Sequence, residues 1–187
     1  LLVQRNLKGD YVNDRVTSVG GYAFRSANKT TSVSFSEVIS IGRDAFYASP
    51  DLVSVHFPKV ETLGNNAFRY EDKLVELSFP MLKDAGSYSC AYCNKLVKVN
   101  FPSIARVADR CFSDDLVLET VIFSNSLGVP TLVNANAFNN TPIASGTGHI
   151  YVPRALISAY TTASNWSVYA NQLRAIEDYP DICGGEV

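Results

Sequence analysis

Two histidines, four cysteines and scattered carboxylates are the side chains that could catalyse a reaction or bind a metal ion. His56 falls in a predicted strand, and His149 lies more than 90 residues further on. A serine or cysteine nucleophile needs a base within hydrogen-bond reach and a third group that orients it. The spacing brings no such set together, and SGTGH at residues 145–149 lacks the strand, lysine and helix of a phosphate loop. The sequence therefore predicts no enzyme activity and no cofactor.

The composition predicts a folded protein and argues against nucleic acid and membranes as partners. The chain has 187 residues, of which 47% are apolar and 18% charged, and a net charge of −2. This charge offers no basic face for nucleic acid or an anionic membrane. No apolar run approaches the roughly 20 residues of a membrane span. The chain opens without methionine or a signal sequence, as expected of a processed or trimmed chain, so secretion stays open.

Phenylalanine marks a repeat of about 22 residues along the chain. The first column, which follows alanine in most copies, contains Phe24, Phe46, Phe68, Cys90, Phe112 and Phe138. The second column contains Phe35, Phe57, Phe79, Phe101 and Phe123. Two columns with one period indicate a solenoid, in which each repeat forms one coil and buries its apolar face against its neighbours.

Each repeat predicts one short strand. In LVSVHF, residues 52–57, apolar residues alternate with polar ones, as in a half-buried strand. Val53, Val55 and Phe57 are predicted to face inward, and Ser54 and His56 outward. The proline after Phe57 ends the strand because proline has no N–H to donate.

The residues after the strand predict a tight turn, followed by a helical or irregular turn that buries the alanine and the phenylalanine. A glycine column precedes this pair at a fixed spacing: Gly20, Gly42, Gly64 and Gly86. Glycine at one position of successive coils indicates either a positive φ or a close approach between coils.

The pattern I-G-x-x-A-F-x-x-x-x-x-L-x-x-V-x-F-P at residues 41–58, repeated from Leu63, resembles the BspA-type leucine-rich repeat family of bacterial and some protist surface proteins. The family often has a cysteine three residues after the phenylalanine, as Cys93 follows Cys90. Residues 150–177 are similar to the segment that closes such repeats. The resemblance implies a cell-surface or secreted binding and adhesion module rather than an enzyme, and it indicates no particular ligand.

We therefore predict an α/β repeat solenoid, a leucine-rich-repeat-like right-handed coil of about six 22-residue repeats with a short parallel sheet and a C-terminal helical cap. Residues 1–187 are assigned to a single domain. Residues 1–15 are predicted to lead into or partly cap the first coil, residues 16–153 to form the repeats, and residues 154–187 to form the cap and tail.

The cap is predicted from helical spacing after the last repeat. Pro153 suits a helix start, and Leu156 and Tyr160 follow at helical spacing. Trp166 and Tyr169 are predicted to cover the exposed end of the last coil. Gly146 and Gly148 predict a protruding loop in the stretched sixth copy, and Cys183 is expected to be exposed or disordered.

The cysteines of the fourth and fifth copies have several interpretations. Cys90 replaces a phenylalanine, so its coil is underfilled unless Tyr88 or Tyr92 turns inward. Cys90, Cys93 and Cys111 could supply three zinc ligands, but a fourth is missing. A disulfide between Cys90 and Cys111 is the stronger alternative, because adjacent coils bring Cα atoms within the about 4.4–6.8 Å that a bridge needs. We favour buried free thiols, since Cys111 replaces a small buried alanine.

Two surfaces are candidate binding sites. The coil corners form an aromatic and basic strip: Arg25, Tyr47, Arg69, Tyr70 and Tyr92. The outward face of the predicted sheet forms the second: Ser54, His56, Glu76, Ser78, Lys98 and Asn100. Protein hot spots favour Trp, Tyr and Arg, so the strip is the better protein-binding candidate, and the sheet face suits weak polar or glycan contacts. Turn tyrosines that merely cover the core are the alternative.

These observations favour a non-enzymatic protein-interaction or adhesion module of a bacterial cell-surface or secreted protein. Its expected partner is a host or neighbouring-cell protein or glycan, without nucleic acid or membrane insertion. A purely structural spacer of a larger surface protein, with no ligand of its own, is the alternative hypothesis. Both hypotheses predict an extracellular or cell-surface location.

Overall fold

The predicted repeat solenoid is confirmed by a computed structural model that describes residues 8–184. Each coil contributes short strands that pair in parallel with the strands of the next coil. Both phenylalanine columns are buried inside the stack, where they form one continuous core with the other apolar columns. The core is therefore long and narrow, and every coil contributes to it.

The strands are short and alternate along the chain between two sides of the stack. In chain order they are β1 (Gly9–Val12), β2 (Ser18–Val19), β3 (Thr30–Ser34), β4 (Ser40–Ile41), β5 (Ser54–His56), β6 (Thr62–Leu63), β7 (Glu76–Ser78), β8 (Asp84–Ala85), β9 (Lys98–Asn100), β10 (Arg106–Val107), β11 (Thr120–Ile122), β12 (Thr131–Leu132), β13 (His149–Val152) and β14 (Leu173–Ala175). β1, β3 and β5 form one sheet, β7, β9, β11, β13 and β14 a second, and the six strands β2 to β12 of even number a third.

The six-stranded sheet shows that the prediction of one strand per coil was incomplete. Its two-residue strands place an apolar residue inward in each coil, as Ile41 and Leu63 do, and a polar residue outward, as Ser40 and Thr62 do. Two residues are too few for alternation to be recognised in a sequence, so this segment was interpreted as a turn. The pairing arises because stacked coils bring these segments together in register.

The strands predicted from the sequence form two separate sheets, with the break between the second coil, which contains β5, and the third coil, which contains β7. β5 pairs with β3, and β7 pairs with β9, but within residues 8–184 no pairing joins β5 to β7. Val55 is accordingly only partly buried, whereas Leu77 in the same column is fully buried. The prediction that Val53 faces inward is wrong, because its side chain is 52% exposed. β5 begins only at Ser54, so Val53 lies before the strand, and the side chain of Leu52 turns inward instead.

The glycine column is explained by close approach between coils, one of the two predicted reasons. A Cβ atom on Gly64 would lie 2.5 Å from the backbone nitrogen of Arg43, and one on Gly42 would lie 2.6 Å from that of Gly21. On Gly86 it would lie 2.7 Å from the carbonyl oxygen of Leu63. Glycine suits this column in these coils because the backbone of the preceding coil fills the space, whereas the fifth coil has Ala108, which is buried, at the same position.

The phenylalanine rings stack along the core except in the fourth coil. Phe24 and Phe46 stack with centroids 4.9 Å apart, and Phe46 and Phe68 with centroids 5.0 Å apart. Cys90 interrupts the column, which resumes at Phe112. Tyr88 and Tyr92 do not turn inward to replace the missing ring, since both are only partly buried.

The cysteines of these coils are free and fully buried. Cys111 Sγ lies 3.3 Å from Ser89 Oγ, and Cys93 donates its thiol to the carbonyl oxygen of Phe68 at 3.1 Å. Burial raises the pKa of both Cys90 and Cys93 well above the usual value, so both remain neutral thiols. Cys183 is half-buried rather than fully exposed.

Both ends of the described stack are covered. At the first coil, Tyr11 of β1 lies against Phe24 and Phe35, each with centroids 5.7 Å away. At the last coil, Trp166 contacts Phe123 and Phe138. The sixth repeat contains a 3-10 turn at Ala135–Phe138 and the helix α1 (Pro142–Ser145). The cap contains α2 (Ile157–Thr162), α3 (Pro180–Cys183) and 3-10 turns at Arg154–Leu156, Ser167–Gln172 and Ile176–Asp178. The predicted cap residues Trp166 and Tyr169 therefore cover the core as expected.

Gly64→Ala is expected to destabilise the protein by about 3 kcal/mol, because the new methyl group overlaps the backbone of the preceding coil, which has to shift. Gly21→Ala is the matched control, since its Cβ would lie 3.2 Å from the nearest atom, the carbonyl oxygen of Arg43. Urea unfolding measures both changes in the free energy of unfolding. Equal losses in the two variants would contradict the close-approach explanation.

Cys90→Phe is expected to raise the melting temperature, because it restores a ring to a stack in which a missing aromatic side chain costs about 3 kcal/mol. Cys111→Ala, alone and combined with Cys90→Phe, is the control, since alanine occupies this column in most other coils. Thermal unfolding followed by circular dichroism measures the effect. A lower melting temperature in both Cys90→Phe and the double variant would show that neighbouring side chains already fill the position.

Candidate binding surface

The side chains with catalytic potential do not converge. His56 lies on β5 and His149 on β13, which belong to different sheets. Among the residues that the structure describes, no group of three or more histidine, cysteine, aspartate or glutamate side chains could hold a metal ion. The stretch before His149, predicted as a protruding loop, contains the short helix α1, which ends at Gly146 with φ at 91°. The candidate sites among the described residues are therefore binding surfaces.

Two fully buried carboxylates, Glu71 and Asp115, have a structural role. Glu71 Oε1 accepts the backbone N–H of Ser49 at 3.1 Å, and Asp115 Oδ1 accepts that of Cys93 at 2.7 Å. Their second oxygens have no partner, and desolvation raises the pKa of both carboxyl groups well above the usual range. The two acids belong to one column but to the third and fifth coils, so they do not form a catalytic pair.

The coil corners are built from residues with positive φ on either side of the buried phenylalanine. One column precedes it by two residues: Tyr22, Asp44, Asn66, Tyr88 and Arg110. The other follows it by two residues: Ser26, Ala48, Tyr70, Tyr92, Asp114 and Asn140. This geometry turns backbone N–H groups toward the next coil, so that Phe46 donates to Ala67 at 2.8 Å and Ala48 to Arg69 at 2.9 Å. The corners are therefore fixed by hydrogen bonds between coils.

These corners present a surface that we name the tyrosine–arginine strip. Its members are Tyr22, Arg25, Tyr47, Arg69, Tyr70, Tyr88, Tyr92 and Arg110. All five residues of the predicted strip are included. Tyr22, Tyr88 and Arg110 were missed, although they share a 22-residue column that the sequence displays. The strip holds five of the ten tyrosines in the chain, which concentrates aromatic surface on one side of the coils.

Cation–π contacts connect the members of the strip. The Arg69 guanidinium lies over three rings, 4.8 Å from the centroid of Tyr70, 4.6 Å from that of Tyr88 and 4.8 Å from that of Tyr92. Arg25 lies 4.8 Å from the centroid of Tyr47. The rings also touch one another, with Tyr47 and Tyr70 at 5.4 Å and Tyr70 and Tyr92 at 4.9 Å. Arg69 is thus the centre of the strip.

Acidic residues beside the strip hold its outer members. Asp44, which is 5% exposed, lies 3.8 Å from a guanidinium nitrogen of Arg25, and Asp109 lies 3.3 Å from one of Arg110. The hydrogen bond from Arg110 to the Tyr88 hydroxyl, at 3.0 Å, raises the pKa of the guanidinium further. The Asp114 carboxylate beside the Tyr92 hydroxyl raises the pKa of that tyrosine. Arg110 therefore stays charged and Tyr92 stays neutral at neutral pH.

Four strip tyrosines occupy positions where their type is unfavourable. Asparagine and aspartate tolerate a left-handed backbone, whereas a bulky side chain there costs roughly 1 kcal/mol. Tyr22, Tyr70, Tyr88 and Tyr92 have φ between 55° and 65°, in the same columns as Asn66 and Asp114 in other coils. Strain of this kind persists where the surrounding structure enforces it and is commonly associated with function.

The second predicted surface, the outward face of the sheet, is placed as expected but is not continuous. Ser54 and His56 lie on β5, and the other four candidates, Glu76, Ser78, Lys98 and Asn100, lie on β7 and β9, across the division of the sheet. Lys98 is partly held by Glu76 at 3.7 Å. The polar column does not continue past Asn100, because its neighbour Ile122 is only 2% exposed and Tyr151, paired with Ile122, is 5% exposed.

The C-terminal segment covers this end of the sheet face. The ring of Tyr179 lies edge-on to Tyr151 with centroids 5.4 Å apart, directly before α3. Burial raises the pKa of Cys183 at the end of α3, and nearby Lys98 acts in the opposite direction. The sheet face open to a partner is therefore smaller than the sequence predicted.

A furrow of about 490 Å³ lies along the six-stranded sheet, on the glycine column. Its polar lining includes Ser18, Ser40 and Thr62, and the ion pair between Asp84 and Arg106, at 2.7 Å, lies at one end. No aromatic side chain lines it. The furrow therefore offers no anchor comparable with the strip.

The model of the BspA-type leucine-rich repeat region matches residues 4–119 and 40–158, with six copies. This chain belongs to the BspA-type leucine-rich repeat family. The sequence matches no curated protein. Within the described part of this BspA-type chain, no helix is long and apolar enough to cross a membrane.

Two solved structures of bacterial proteins have the same fold. The pneumococcal vaccine antigen PcpA is 19% identical, with a TM-score of 0.66, and the match covers 89% of this chain and 39% of PcpA. A leucine-rich cell surface protein from Faecalibacterium prausnitzii A2-165 is 20% identical, with a TM-score of 0.58, and the match covers 91% of this chain and 48% of that protein. The chain thus spans less than half the length of either structure.

Glu71→Gln is expected to weaken the dependence of stability on pH. The pKa of folded Glu71 is raised, so the protonated side chain stabilises the fold below the unfolded pKa of about 4.3, and this contribution is lost as the pH rises through the folded pKa. Between pH 4 and pH 8 the melting temperature should therefore fall less in Glu71→Gln than in the wild type. Glu76→Gln, at an exposed carboxylate, is the control. Identical pH profiles for wild type and Glu71→Gln would contradict this interpretation.

Proposed function

We propose that this chain is a non-enzymatic binding module of a bacterial cell-surface or secreted protein, and that its tyrosine–arginine strip holds a protein of a host or neighbouring cell. The single observation that carries the proposal is the strip itself, in which five tyrosines and three arginines form a connected surface. Membership of the BspA-type family and the likeness to two bacterial structures, one described as a cell surface protein, support the location.

The composition of the strip suits protein binding. Tyrosine and arginine are enriched at the residues that dominate binding energy, because they offer large contact areas and polar tips. Tyrosine also loses little side-chain entropy on binding, since it has few rotatable bonds. The cation–π contacts of Arg69 with Tyr70, Tyr88 and Tyr92 hold the strip in place before a partner arrives. A preordered surface binds more tightly for the same contact area.

The strain at the corners supports a binding role over a spacer role. A spacer needs only stable coils, and asparagine or aspartate at the left-handed positions would serve it better than tyrosine. Tyr70 and Tyr92 occupy these positions in adjacent coils, where their rings meet. We interpret the tyrosines as retained for contact with a partner.

The proposal is tested with the biotinylated chain as bait, first against a panel of purified host-cell surface proteins and against a glycan array. Binding of a defined protein to the chain is measured by biolayer interferometry. Binding of glycans alone would favour the polar sheet face over the strip. A spacer function predicts that neither panel yields a specific ligand.

Tyr47→Ala combined with Tyr70→Asn is expected to weaken binding of that protein at least tenfold, because two adjacent aromatic contacts are removed. The melting temperature should change by only a few degrees, since asparagine at position 70 relieves backbone strain and offsets the lost ring contacts. His56→Ala combined with Lys98→Ala is the matched control on the sheet face. Unchanged affinity in the strip variant, with a loss in the sheet variant, would move the site to the sheet.

A further inference from the structure

We propose that the strip recognises an acidic segment of its protein partner and that Arg69 is the residue that binds a carboxylate of that segment. This inference rests on the proposed binding function of the strip. The observation behind it is that the Arg69 guanidinium has no ion-pair partner among the described residues, whereas those of Arg25 and Arg110 do.

Arg69 is the strip arginine whose charge is not matched. Arg25 has Asp44 at 3.8 Å and Arg110 has Asp109 at 3.3 Å. Within residues 8–184, no carboxylate oxygen lies within 4.0 Å of the Arg69 guanidinium. Its side chain is nevertheless partly buried, so part of its hydration is lost without an ionic partner in exchange. A half-buried cation in this state favours an anion supplied from outside.

The hydrogen-bonding capacity of Arg69 is also incompletely used. A guanidinium has five N–H donors. Arg69 donates one to Asn66 Oδ1 at 3.3 Å and one to the Tyr70 hydroxyl at 3.1 Å, while its buried Nε has no partner. Each terminal nitrogen therefore keeps a further N–H. The planar fork of a guanidinium matches the two oxygens of a carboxylate.

The surrounding rings orient this group. Tyr70, Tyr88 and Tyr92 lie within 4.8 Å of the guanidinium carbon, measured to the ring centroids. All three hydroxyl tips are already engaged, that of Tyr70 by Arg69, that of Tyr88 by Arg110 and that of Tyr92 by Asp114. The rings thus hold the cation without neutralising it, and they offer apolar area beside the expected ion pair. An acidic peptide with apolar or aromatic neighbours fits this combination.

Asp114, an acid beside the strip that forms no ion pair within the described residues, does not neutralise Arg69. Asp114 accepts hydrogen bonds from Asn140 Nδ2 at 2.8 Å and from Ser113 Oγ at 3.1 Å. Desolvation opposes the charged form of Asp114, but these hydrogen bonds, with Tyr92 and Arg69, keep its pKa below the usual value. In and beside the strip there are four guanidinium groups, which are the three of the strip and that of Arg43. Three carboxylates lie near them: Asp44, Asp109 and Asp114. The local charge therefore stays positive.

The test uses a phage-displayed library of random 12-residue peptides selected on the wild-type chain and, in parallel, on Arg69→Met. We expect sequences selected on the wild type to be at least threefold enriched in Asp and Glu, and this enrichment to vanish on Arg69→Met. The most frequent acidic sequence, made as a synthetic peptide, should bind the wild type at least tenfold more tightly than its Asp→Asn and Glu→Gln counterpart. The same two peptides should bind Arg69→Met with equal affinity.

Matched variants separate charge from structure. Arg69→Lys keeps the charge but loses the fork, so it should retain a preference for the acidic peptide with intermediate affinity. Thermal unfolding of both Arg69 variants shows whether the solenoid is intact. If Arg69→Met unfolds below assay temperature, the comparison of wild type with Arg69→Lys and the salt dependence of acidic-peptide binding to the wild type decide the question, since affinity for a carboxylate should fall as salt rises.

Three results would overturn the inference. Selected peptides without acidic enrichment that still require Tyr47 and Tyr70 would refute it while leaving the strip as the binding surface. Acidic peptides that bind equally to wild type, Arg69→Met and the strip variant would refute both this inference and the proposed strip. Absence of any selected peptide, with Arg69-dependent binding of sialylated or uronic-acid oligosaccharides on the glycan array, would assign the carboxylate to a glycan instead.

Discussion

The structure depends on one constraint, the need of every short coil to form its backbone hydrogen bonds with the coil about 22 residues away. Strands of two to five residues cannot satisfy their polar groups alone, so the N–H of Gly64 donates to Ile41 and that of Gly86 to Leu63. Adjacent backbones must approach closely enough for these bonds, and this favours glycine at positions 42, 64 and 86, where a Cβ atom would lie within 3 Å of the preceding coil. The phenylalanine columns stack at the same spacing because they follow the backbone. Packing, capping and surface columns are all consequences of this register.

The same constraint explains how strained tyrosines can persist at the coil corners. In the first five coils, positive φ two residues before and two residues after the first phenylalanine column directs N–H groups to the next coil. The framework imposes that geometry whatever the side chain, so a tyrosine there costs stability without changing the backbone. Tyr70 and Tyr92 consequently project at fixed positions, one coil apart, with Arg69 beside them. A repetitive scaffold thus provides rigid aromatic positions for binding.

The faces of the solenoid differ in their capacity to bind. The face with the predicted strands is divided between β5 and β7, and Tyr179 covers Tyr151 at one end of it. The six-stranded sheet is continuous, but its furrow is lined by small and polar residues and lacks an aromatic anchor. The strip combines continuity between coils with large side chains. Its central cation, Arg69, also lacks an ionic partner among the described residues, which distinguishes it from the ion pairs elsewhere on the surface.

The 22-residue period was sufficient to predict the solenoid, the buried columns and the position of Tyr47, Arg69 and Tyr70, because stacked coils place equivalent residues one above another. The aromatic cap was predicted from helical spacing after the last repeat. Features that depend on contacts between coils were not predictable. A two-residue strand is recognisable only from its partners, so the six-stranded sheet was missed, and the exposure of Val53 followed from where β5 begins. The positive φ values that unite Tyr22, Tyr88 and Arg110 with the strip are likewise backbone properties enforced by neighbouring coils. Sequence periodicity specifies which residues share a column, whereas the direction in which that column faces is decided only when the coils pack.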